Sequence, residues 1–331
     1  MNVLITGGAG FLGRRLAREL LRRGYLHDRH GQRREIGRLT LVDLVAASGF
    51  TDARVRVVTG DIADPVLVQQ IINADTSSIF HLAAVVSGQA EADFELGMRI
   101  NLDAVRLLLE RCRACGHQPK VLYTSSVAVY GGVLPAVVQD TTALMPQSSY
   151  GAQKAIGELL LNDYSRRGFV DGRVLRLPTI SVRPGKPNLA ASSFASGIVR
   201  EPLHGEAAVC PVSPECRLWL MSPRVAIAAL IGGHELSAAA LQGNRTINLP
   251  GVSVSVGDMI DTLGAVAGTA VADRICFELN PAVERIVGSW PGAWDCTRAL
   301  ALGLPADGNF EAIVRAYMDD EQIVIPRNVN H

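Results

Sequence analysis

The feature that most constrains this chain lies near its first residue, where positions 2–13 read NVLITGGAGFLG. A short apolar run that stops at glycines predicts a buried β-strand, and Leu16 and Leu20 follow it at helical spacing. Gly24 predicts the end of that helix. A strand, a glycine turn and a helix in direct succession predict the first unit of a parallel α/β sheet.

The glycines of this turn leave the backbone open where a ligand would approach it. Gly8, Gly10 and Gly13 match G-x-G-x-x-G, and Gly7, Gly10 and Gly13 match G-x-x-G-x-x-G. In either spacing, backbone N–H groups at the start of a helix can receive a pyrophosphate. A glycine turn without a ligand is the alternative for a lone motif, but the flanking strand and helix favour dinucleotide binding.

The end of the second predicted strand, LTLVD, indicates which dinucleotide is bound. The Asp43 carboxylate can accept hydrogen bonds from ribose hydroxyls and would repel a 2′-phosphate, and Leu44 and Val45 supply no positive charge. We therefore expect NAD rather than NADP. Asp43 lies further from Gly13 than the usual ~20 positions, and the polar loop HDRHGQRREIGR accounts for the excess. Asp61, at the end of the third predicted strand, is a candidate for the adenine edge or a simple turn residue.

Strands and helices alternate through the first part of the chain. The predicted strands are NVLIT, LTLVD, VRVVTGD, SIFHLAA, KVLYTSS and GRVLRLPT, and helices are expected from Pro65, over about 93–115 and from Ser149. We predict an α/β fold with a Rossmann-type doubly wound parallel sheet. Residues 1–184 would form the NAD-binding domain. Residues 185–331 would form mainly a smaller C-terminal substrate-binding lobe, with some chain returning to the core.

In this second part, RPGKPNLAASSFASG reads as a loop. It is followed by a predicted helix over 223–236, the strand TINLP and a helix from Val256.

Composition excludes several classes of partner. Lys plus Arg and Asp plus Glu both number 32, so we expect neither nucleic acid nor a membrane surface as partner. No apolar run approaches the ~20 residues of a membrane span, and the early glycines leave no room for a signal peptide. We expect a cytoplasmic protein. Cys112 and Cys115 fall in a predicted helix, which favours core packing, and no metal site is expected.

The sequence YGAQK places Tyr150 and Lys154 on one face of a helix. A free tyrosine, with a pKa of ~10, is a poor base, and an ammonium group nearby favours its phenolate. By itself such a pair can be a surface pair. However, the preceding strand ends in YTSS, which puts Ser126 at the carboxyl edge of the sheet, where α/β folds bind ligands. Ser125 is the neighbouring candidate, and strand alternation should send the two serines to opposite sides.

Five motifs in order, TGGAGFLG, GDI, HLAA, YTSSVAVYG and YGAQK, resemble the extended short-chain dehydrogenase/reductase family, in its NAD-dependent epimerase/dehydratase group. The resemblance implies Ser126, Tyr150 and Lys154 as the catalytic residues. It also implies a set of cofactor contacts: Gly7, Gly10, Phe11, Leu12, Gly13, Asp43, Asp61, Ile62, Leu82, Ala83, Ala84, Asn101, Tyr150, Lys154 and Pro178.

The stretches expected to face the substrate are rich in hydroxyl groups, which suits a small polyol acid better than a nucleotide sugar. Arg183 and Lys186 could form surface salt bridges instead, and a solvated loop is the alternative for any single serine. The substrate-binding candidates are Ser87, Ser126, Tyr150, Thr179, Asn188, Ser192 or its neighbour Ser193, and Arg217.

Within the family, RLPTISVRPGKPNLAASSFASGIVREPL resembles dehydrogenases of small sugar acids. This resemblance implies NAD-dependent oxidation of the C2 hydroxyl of a four-carbon aldonate. One alternative is a nucleotide-diphosphate-sugar epimerase or dehydratase with tightly held NAD, and another is a non-catalytic NAD-binding sensor. The family resemblance also implies a homodimer formed through helices 93–115 and 149–167, whose apolar residues could instead pack on their own sheet.

Overall fold

The computed structural model describes residues 1–324, in which strands and α-helices alternate along the chain. The strands are β1 (Asn2–Thr6), β2 (Tyr25–His27), β3 (Arg33–Glu35), β4 (Arg38–Asp43), β5 (Val55–Thr59), β6 (Thr76–His81), β7 (Lys120–Ser126), β8 (Asp171–Leu177), β9 (Thr179–Ile180), β10 (Ala208–Cys210), β11 (Arg217–Met221), β12 (Thr246–Asn248), β13 (Val252–Ser255) and β14 (Ile275–Phe277).

The helices are α1 (Phe11–Arg23), α2 (Pro65–Ile71), α3 (Ser87–Ala92), α4 (Phe94–Met98), α5 (Ala104–Cys115), α6 (Ser149–Arg166), α7 (Phe194–Leu203), α8 (Pro223–Glu235), α9 (Val256–Ala267), α10 (Thr269–Ala272), α11 (Pro281–Gly288), α12 (Thr297–Ala301) and α13 (Phe310–Asp320). Within residues 1–324, no helix combines the length and the apolar character needed to cross a membrane.

Seven strands pair in parallel in the order β12-β8-β7-β6-β1-β4-β5. Alternation along β1 sends Val3 and Ile5 into one core and Leu4 into the other. Helices α1 and α8 cover the face of the sheet that carries Val3 and Ile5. Helices α2, α5 and α6 cover the opposite face, which carries Leu4. Covered faces on both sides explain why the strands are nearly continuous in apolar residues, and the predicted doubly wound sheet is confirmed.

Helix ends follow local chemistry. The Asp64 side chain accepts a hydrogen bond from Val66 N at 2.8 Å and Pro65 occupies the first turn, as the sequence predicts. Gly24 ends α1 in the left-handed region at φ 77°. Asp64 thus defines the start of α2, and Gly24 defines the end of α1.

The chain beyond Pro184 builds a second core. Strands β9, β11 and β13 form a small sheet, and β10 pairs with β14. Apolar side chains of α7, α9 and α13 pack together on this part of the chain. Helix α8 and strand β12, however, return to the large sheet. The last seven residues of the predicted lobe, 325–331, lie outside the described residues.

Three sequence predictions of secondary structure are wrong in detail. The polar stretch after α1 is a hairpin of β2 and β3 rather than a loop, because Asp28 Oδ1 accepts bonds from His30 N and Gln32 N and thereby closes a turn. Only Leu26 of the hairpin is deeply buried, so its sequence shows no alternation. The segment predicted as one helix over 93–115 is divided into α4, a π-helical turn (Arg99–Asp103) and α5. Helix α7 begins inside the segment predicted as a loop.

His81 and His234 are buried, and their lowered pKa values lead us to predict that acid destabilises the fold. Burial, with a smaller effect of the Lys154 charge, lowers the pKa of His81 to about 3, and burial lowers that of His234 to about 4. An unfolded histidine has a pKa of ~6.5. Between pH 7 and 5 the unfolded chain therefore binds more protons, and the free energy of unfolding falls as pH falls, by up to ~1.4 kcal/mol per pH unit for each histidine.

Urea denaturation at pH 7, 6 and 5 measures this dependence. We expect His234→Gln to lower the pH slope of the free energy of unfolding and His30→Gln, at an exposed histidine, to leave it unchanged. An unchanged slope in His234→Gln contradicts the assignment.

Candidate active site

Two adjoining cavities lie along the carboxyl edge of the large sheet, one of about 380 Å³ and one of about 290 Å³. The glycine turn separates them, and Gly7, Gly10, Leu82 and Ala84 line both. We call the larger one the Asp43 cavity and the smaller one the Tyr150 cavity, after residues that line them. Together they form one groove across the edge where parallel strands end, the usual ligand position in open α/β sheets.

The glycine turn packs tightly against itself. Gly7 has φ 72°, and its carbonyl accepts a bond from Gly10 N at 3.1 Å. A Cβ on Gly13 would lie 2.1 Å from Gly7 O. Gly10 makes no side-chain cap, so the first-turn N–H groups of α1 stay available to an anion. This arrangement fits the pyrophosphate of a dinucleotide.

Asp43 ties the turn to the neighbouring strand. Its Oδ2 accepts a bond from Ala9 N at 3.0 Å and its Oδ1 one from Leu44 N at 2.8 Å. The carboxylate lines its cavity and keeps free lone pairs that suit ribose hydroxyls. Among residues 1–324, the cavity offers no unpaired cation to receive a 2′-phosphate, because the guanidinium of Arg99, which also lines it, is paired with Asp61.

Asp61 is thus held by an ion pair and a hydrogen bond that the sequence did not indicate. Burial raises the pKa of its carboxyl, but hydrogen bonds from Arg99 and Ala63 N outweigh that effect and hold the pKa below its usual value. Arg99 was not predicted for the site, because it lies 38 positions from Asp61 and only the fold brings them together.

Every predicted cofactor contact except Asn101 lines one of the two cavities. Asn101 lies in the π-helical turn and is buried behind the wall. Its Oδ1 accepts a bond from Val85 N at 2.8 Å, and its Nδ2 donates to Val85 O at 3.0 Å and to Gln153 Oε1 at 2.8 Å. The structure therefore places Asn101 as a support for the loop after β6, and not in contact with the groove.

Ser126, Tyr150 and Lys154 meet on the Tyr150 cavity, since β7 ends where α6 begins to cross the sheet edge. Lys154 Nζ donates to Thr124 O at 2.9 Å and lies 5.8 Å from the centre of the Tyr150 ring. Burial lowers the pKa of Lys154 to about 7, against the opposing charge of Glu158. Burial raises the pKa of Tyr150 to about 12, against an opposing interaction with the Ser126 hydroxyl.

The two serines at the end of β7 have different partners. Ser125 donates its hydroxyl to the buried Glu158 carboxylate. Ser126 Oγ accepts a bond from Ala128 N at 3.1 Å, so its own proton can be donated to the Tyr150 oxygen or to a ligand in the cavity. This difference supports Ser126 as the serine that faces the substrate.

The remaining substrate candidates divide clearly. Ser87, Thr179, Asn188 and Ser192 all line the Tyr150 cavity, as predicted. Arg217 does not, because it starts β11 on the surface, where its Nη1 bonds to Ser253 Oγ at 3.4 Å.

Several residues that line the two cavities were not predicted, among them Arg183 and Trp290. Arg183, which the sequence analysis considered as a surface cation, lines the Tyr150 cavity. Trp290, which is distant in sequence, lines the same cavity. No spacing in the sequence links Trp290 to YGAQK.

The chain belongs to the NAD dependent epimerase/dehydratase family, whose pattern matches residues 3–219. A D-erythronate dehydrogenase from Cupriavidus necator is 68% identical to it over 97% of this chain and 98% of the relative. A D-erythronate dehydrogenase from Haemophilus influenzae is 48% identical over 96% and 99%. The crystal structure of a nucleoside-diphosphate-sugar epimerase from Agrobacterium tumefaciens has a TM-score of 0.90 and 41% identity, covering 97% of this chain and 94% of that one.

The tight glycine turn predicts that Gly13→Ala impairs NAD binding. The added methyl group would meet backbone atoms of Gly7 and Gly8, which cannot move without reshaping the turn. We expect the NAD affinity to fall at least tenfold and the melting temperature to fall, as measured by calorimetric titration and thermal melting. Gly288→Ala is the control, because a Cβ there meets no atom of residues 1–324 within 4 Å. Unchanged NAD affinity in Gly13→Ala would refute this role of the turn.

Proposed function

We propose that this protein oxidises D-erythronate to 2-dehydro-D-erythronate with NAD as acceptor. The observation that carries the proposal is the meeting of Ser126, Tyr150 and Lys154 on a small cavity at one end of a groove suited to NAD. Two D-erythronate dehydrogenases that align over nearly the whole chain support the choice of substrate. The cavity is of a size that suits a four-carbon acid beside a nicotinamide ring.

Each catalytic residue would have one task. Tyr150, as phenolate, removes the proton from the substrate hydroxyl, and Ser126 holds the same oxygen by donating its hydroxyl proton. Lys154, fixed by Thr124 O, adds positive charge that favours the phenolate. Bound NAD supplies a hydride acceptor, and the pyrophosphate would rest on the first turn of α1.

The two parts of the chain would bind different ligands. We propose that residues 1–184 hold the cofactor and that the chain from residue 185 onward holds mainly the substrate. The return of α8 and β12 to the large sheet ties the second part to the first. Ser87 Oγ accepts a bond from Ala191 N at 3.1 Å, which joins the two parts over the Tyr150 cavity.

A second candidate is a nucleotide-diphosphate-sugar epimerase, favoured by the description of the Agrobacterium tumefaciens structure. Such a substrate adds a base, a ribose and two phosphates, which need cations and a larger volume. The Tyr150 cavity is small, and its cations within residues 1–324 are Lys154 and Arg183. An epimerase retains its NAD and releases no NADH. Steady NADH release with D-erythronate would exclude both it and a non-catalytic sensor.

We further propose a cytoplasmic homodimer. All six cysteines are free, as suits a reducing compartment. Leu159 and Ile156 of α6 expose 65% and 41% of their surface, and this apolar face suits a second copy of the chain. Light scattering after size-exclusion chromatography measures the molecular mass and so distinguishes a dimer from a 35.3 kDa monomer.

Tyr150→Phe removes the proposed base and retains the ring. We expect kcat for D-erythronate to fall at least ~10³-fold, within the range for loss of an acid–base group, and the NAD affinity to stay within about threefold. NADH absorbance and calorimetric titration give the two quantities. Tyr164→Phe, whose hydroxyl bonds to Glu110 outside both cavities, is the matched control and should keep full activity. Full activity in Tyr150→Phe would eliminate the mechanism.

Ser126→Ala should displace the pH profile of oxidation to higher pH. The Ser126 hydroxyl lowers the pKa of Tyr150 against burial, so its loss raises that pKa and leaves less phenolate at a given pH. We expect kcat at pH 7.5 to fall ~10²-fold, as for loss of one donor to a reacting oxygen. The measurement is kcat against pH, with Ser77→Ala, at the start of β6, as control. A lower kcat with an unmoved profile would contradict the influence of Ser126 on Tyr150.

A further inference from the structure

Arg183 differs from the other cations that the sequence offered for the substrate. It is half-buried and lines the Tyr150 cavity together with Thr179, Asn188 and Ser192. Lys186 and Arg217 are exposed and line neither cavity. Among residues 1–324, the wall of the cavity thus contains one arginine, which lies among hydroxyl and amide groups.

The backbone of Arg183 is held on both sides by α7. Its N–H donates to Ser196 Oγ at 3.0 Å, and its carbonyl accepts a bond from Arg200 Nη1 at 2.8 Å. These bonds fix the Cα position relative to α7. The direction from which the side chain enters the cavity is therefore set by the fold.

The guanidinium of Arg183 has no protein partner among residues 1–324, neither a hydrogen-bond acceptor nor a carboxylate. The nearby Arg200 is satisfied, because it pairs with Glu201 at 2.5 Å, and it adds a second positive charge. Burial and the Arg200 charge lower the pKa of Arg183, whereas Tyr150 raises it. A half-buried guanidinium beside another cation is unfavourable unless an anion joins it.

We propose that Arg183 binds the carboxylate of the sugar-acid substrate and makes the site selective for acids that carry a hydroxyl on the adjacent carbon. This inference rests on the proposed function. A guanidinium presents two parallel N–H groups that match a carboxylate. Arg183 and Tyr150 face the same space, and C2 is bonded directly to the carboxyl carbon. A carboxylate on Arg183 therefore brings the C2 hydroxyl, rather than a more distant one, towards Tyr150.

The same contact explains how other alcohols are rejected. A neutral polyol or sugar in the cavity would leave the guanidinium without an anion, and an unpaired buried polar group lowers the affinity for such a ligand. Selectivity then depends on a charge in the wall of the cavity and on the shape of the guanidinium.

Steady-state kinetics of the NAD-loaded enzyme test the proposal with D-erythronate and its uncharged amide, D-erythronamide. For Arg183→Gln we expect KM for D-erythronate to rise ~100-fold, as for loss of a charge-assisted pair, with kcat changed less than tenfold. The wild-type preference for the acid over the amide should disappear. Arg183→Lys keeps the charge without the paired N–H groups, so its KM for D-erythronate should lie between those of the wild type and Arg183→Gln.

Lys186→Gln and Arg217→Gln remove equal charge outside the cavity and should keep the wild-type KM. An equal rise in KM for these controls, or a retained preference for the acid in Arg183→Gln, overturns the proposal. Arg183→Gln should also bind NAD normally and melt no lower than wild type without substrate, since it removes an unpaired cation. A lower melting temperature together with lost NAD binding would indicate a structural role instead.

Calorimetric binding of D-erythronate to NAD-loaded Tyr150→Phe, with and without Arg183→Gln, separates this inference from the proposed function. Binding that requires Arg183, with no turnover by the wild type, overturns the proposed function alone. Turnover by the wild type with equal KM in Arg183→Gln overturns the role of Arg183 alone. If the protein shows neither binding nor turnover, both the proposed function and the role of Arg183 are overturned.

Discussion

The close packing of α1 against β1 and β4 is the constraint on which the groove depends. A Cβ on Gly8 would lie 2.8 Å from Leu41 Cβ, and one on Gly13 would lie 2.1 Å from Gly7 O. Only a turn without side chains lets the helix start so near the strand ends. Its first-turn N–H groups then face the groove, and Asp43 can bind Ala9 N across the same edge. The sites proposed for the pyrophosphate and for the ribose therefore share one cause.

The chemistry at the other end of the groove is governed by burial. Removal from water disfavours both the Tyr150 phenolate and the Lys154 ammonium, and their pKa values shift in opposite directions, to about 12 and about 7. Glu158 partly offsets the burial of Lys154 while it pairs with Arg176. Charges introduced into such a cavity act strongly, because little water screens them. A carboxylate on Arg183 and a hydroxyl at Tyr150 would be in that environment.

The sequence predicted the large sheet well because its strands are short apolar runs, and all seven of them appear where expected. It failed at β2 and β3, where three-residue strands with one deeply buried residue carry no periodicity. The π-helical turn around Asn101 was also missed, since helical spacing looks the same on either side of one inserted residue. Asn101 itself was found by resemblance, but its place behind the wall depends on Val85 and Gln153, which are distant in sequence.

The sequence by itself determined the glycine turn, Asp43 and the pair Tyr150 and Lys154, because each depends on spacing within one strand, turn or helix. The tertiary structure decided which arginine faces the Tyr150 cavity. In the sequence, Arg183 and Arg217 are both arginines in polar segments and cannot be distinguished. In the structure, α7 holds Arg183 against the cavity, whereas Arg217 lies on the surface at the start of β11. Packing between elements far apart in the chain sets such positions, and local periodicity contains no information about it.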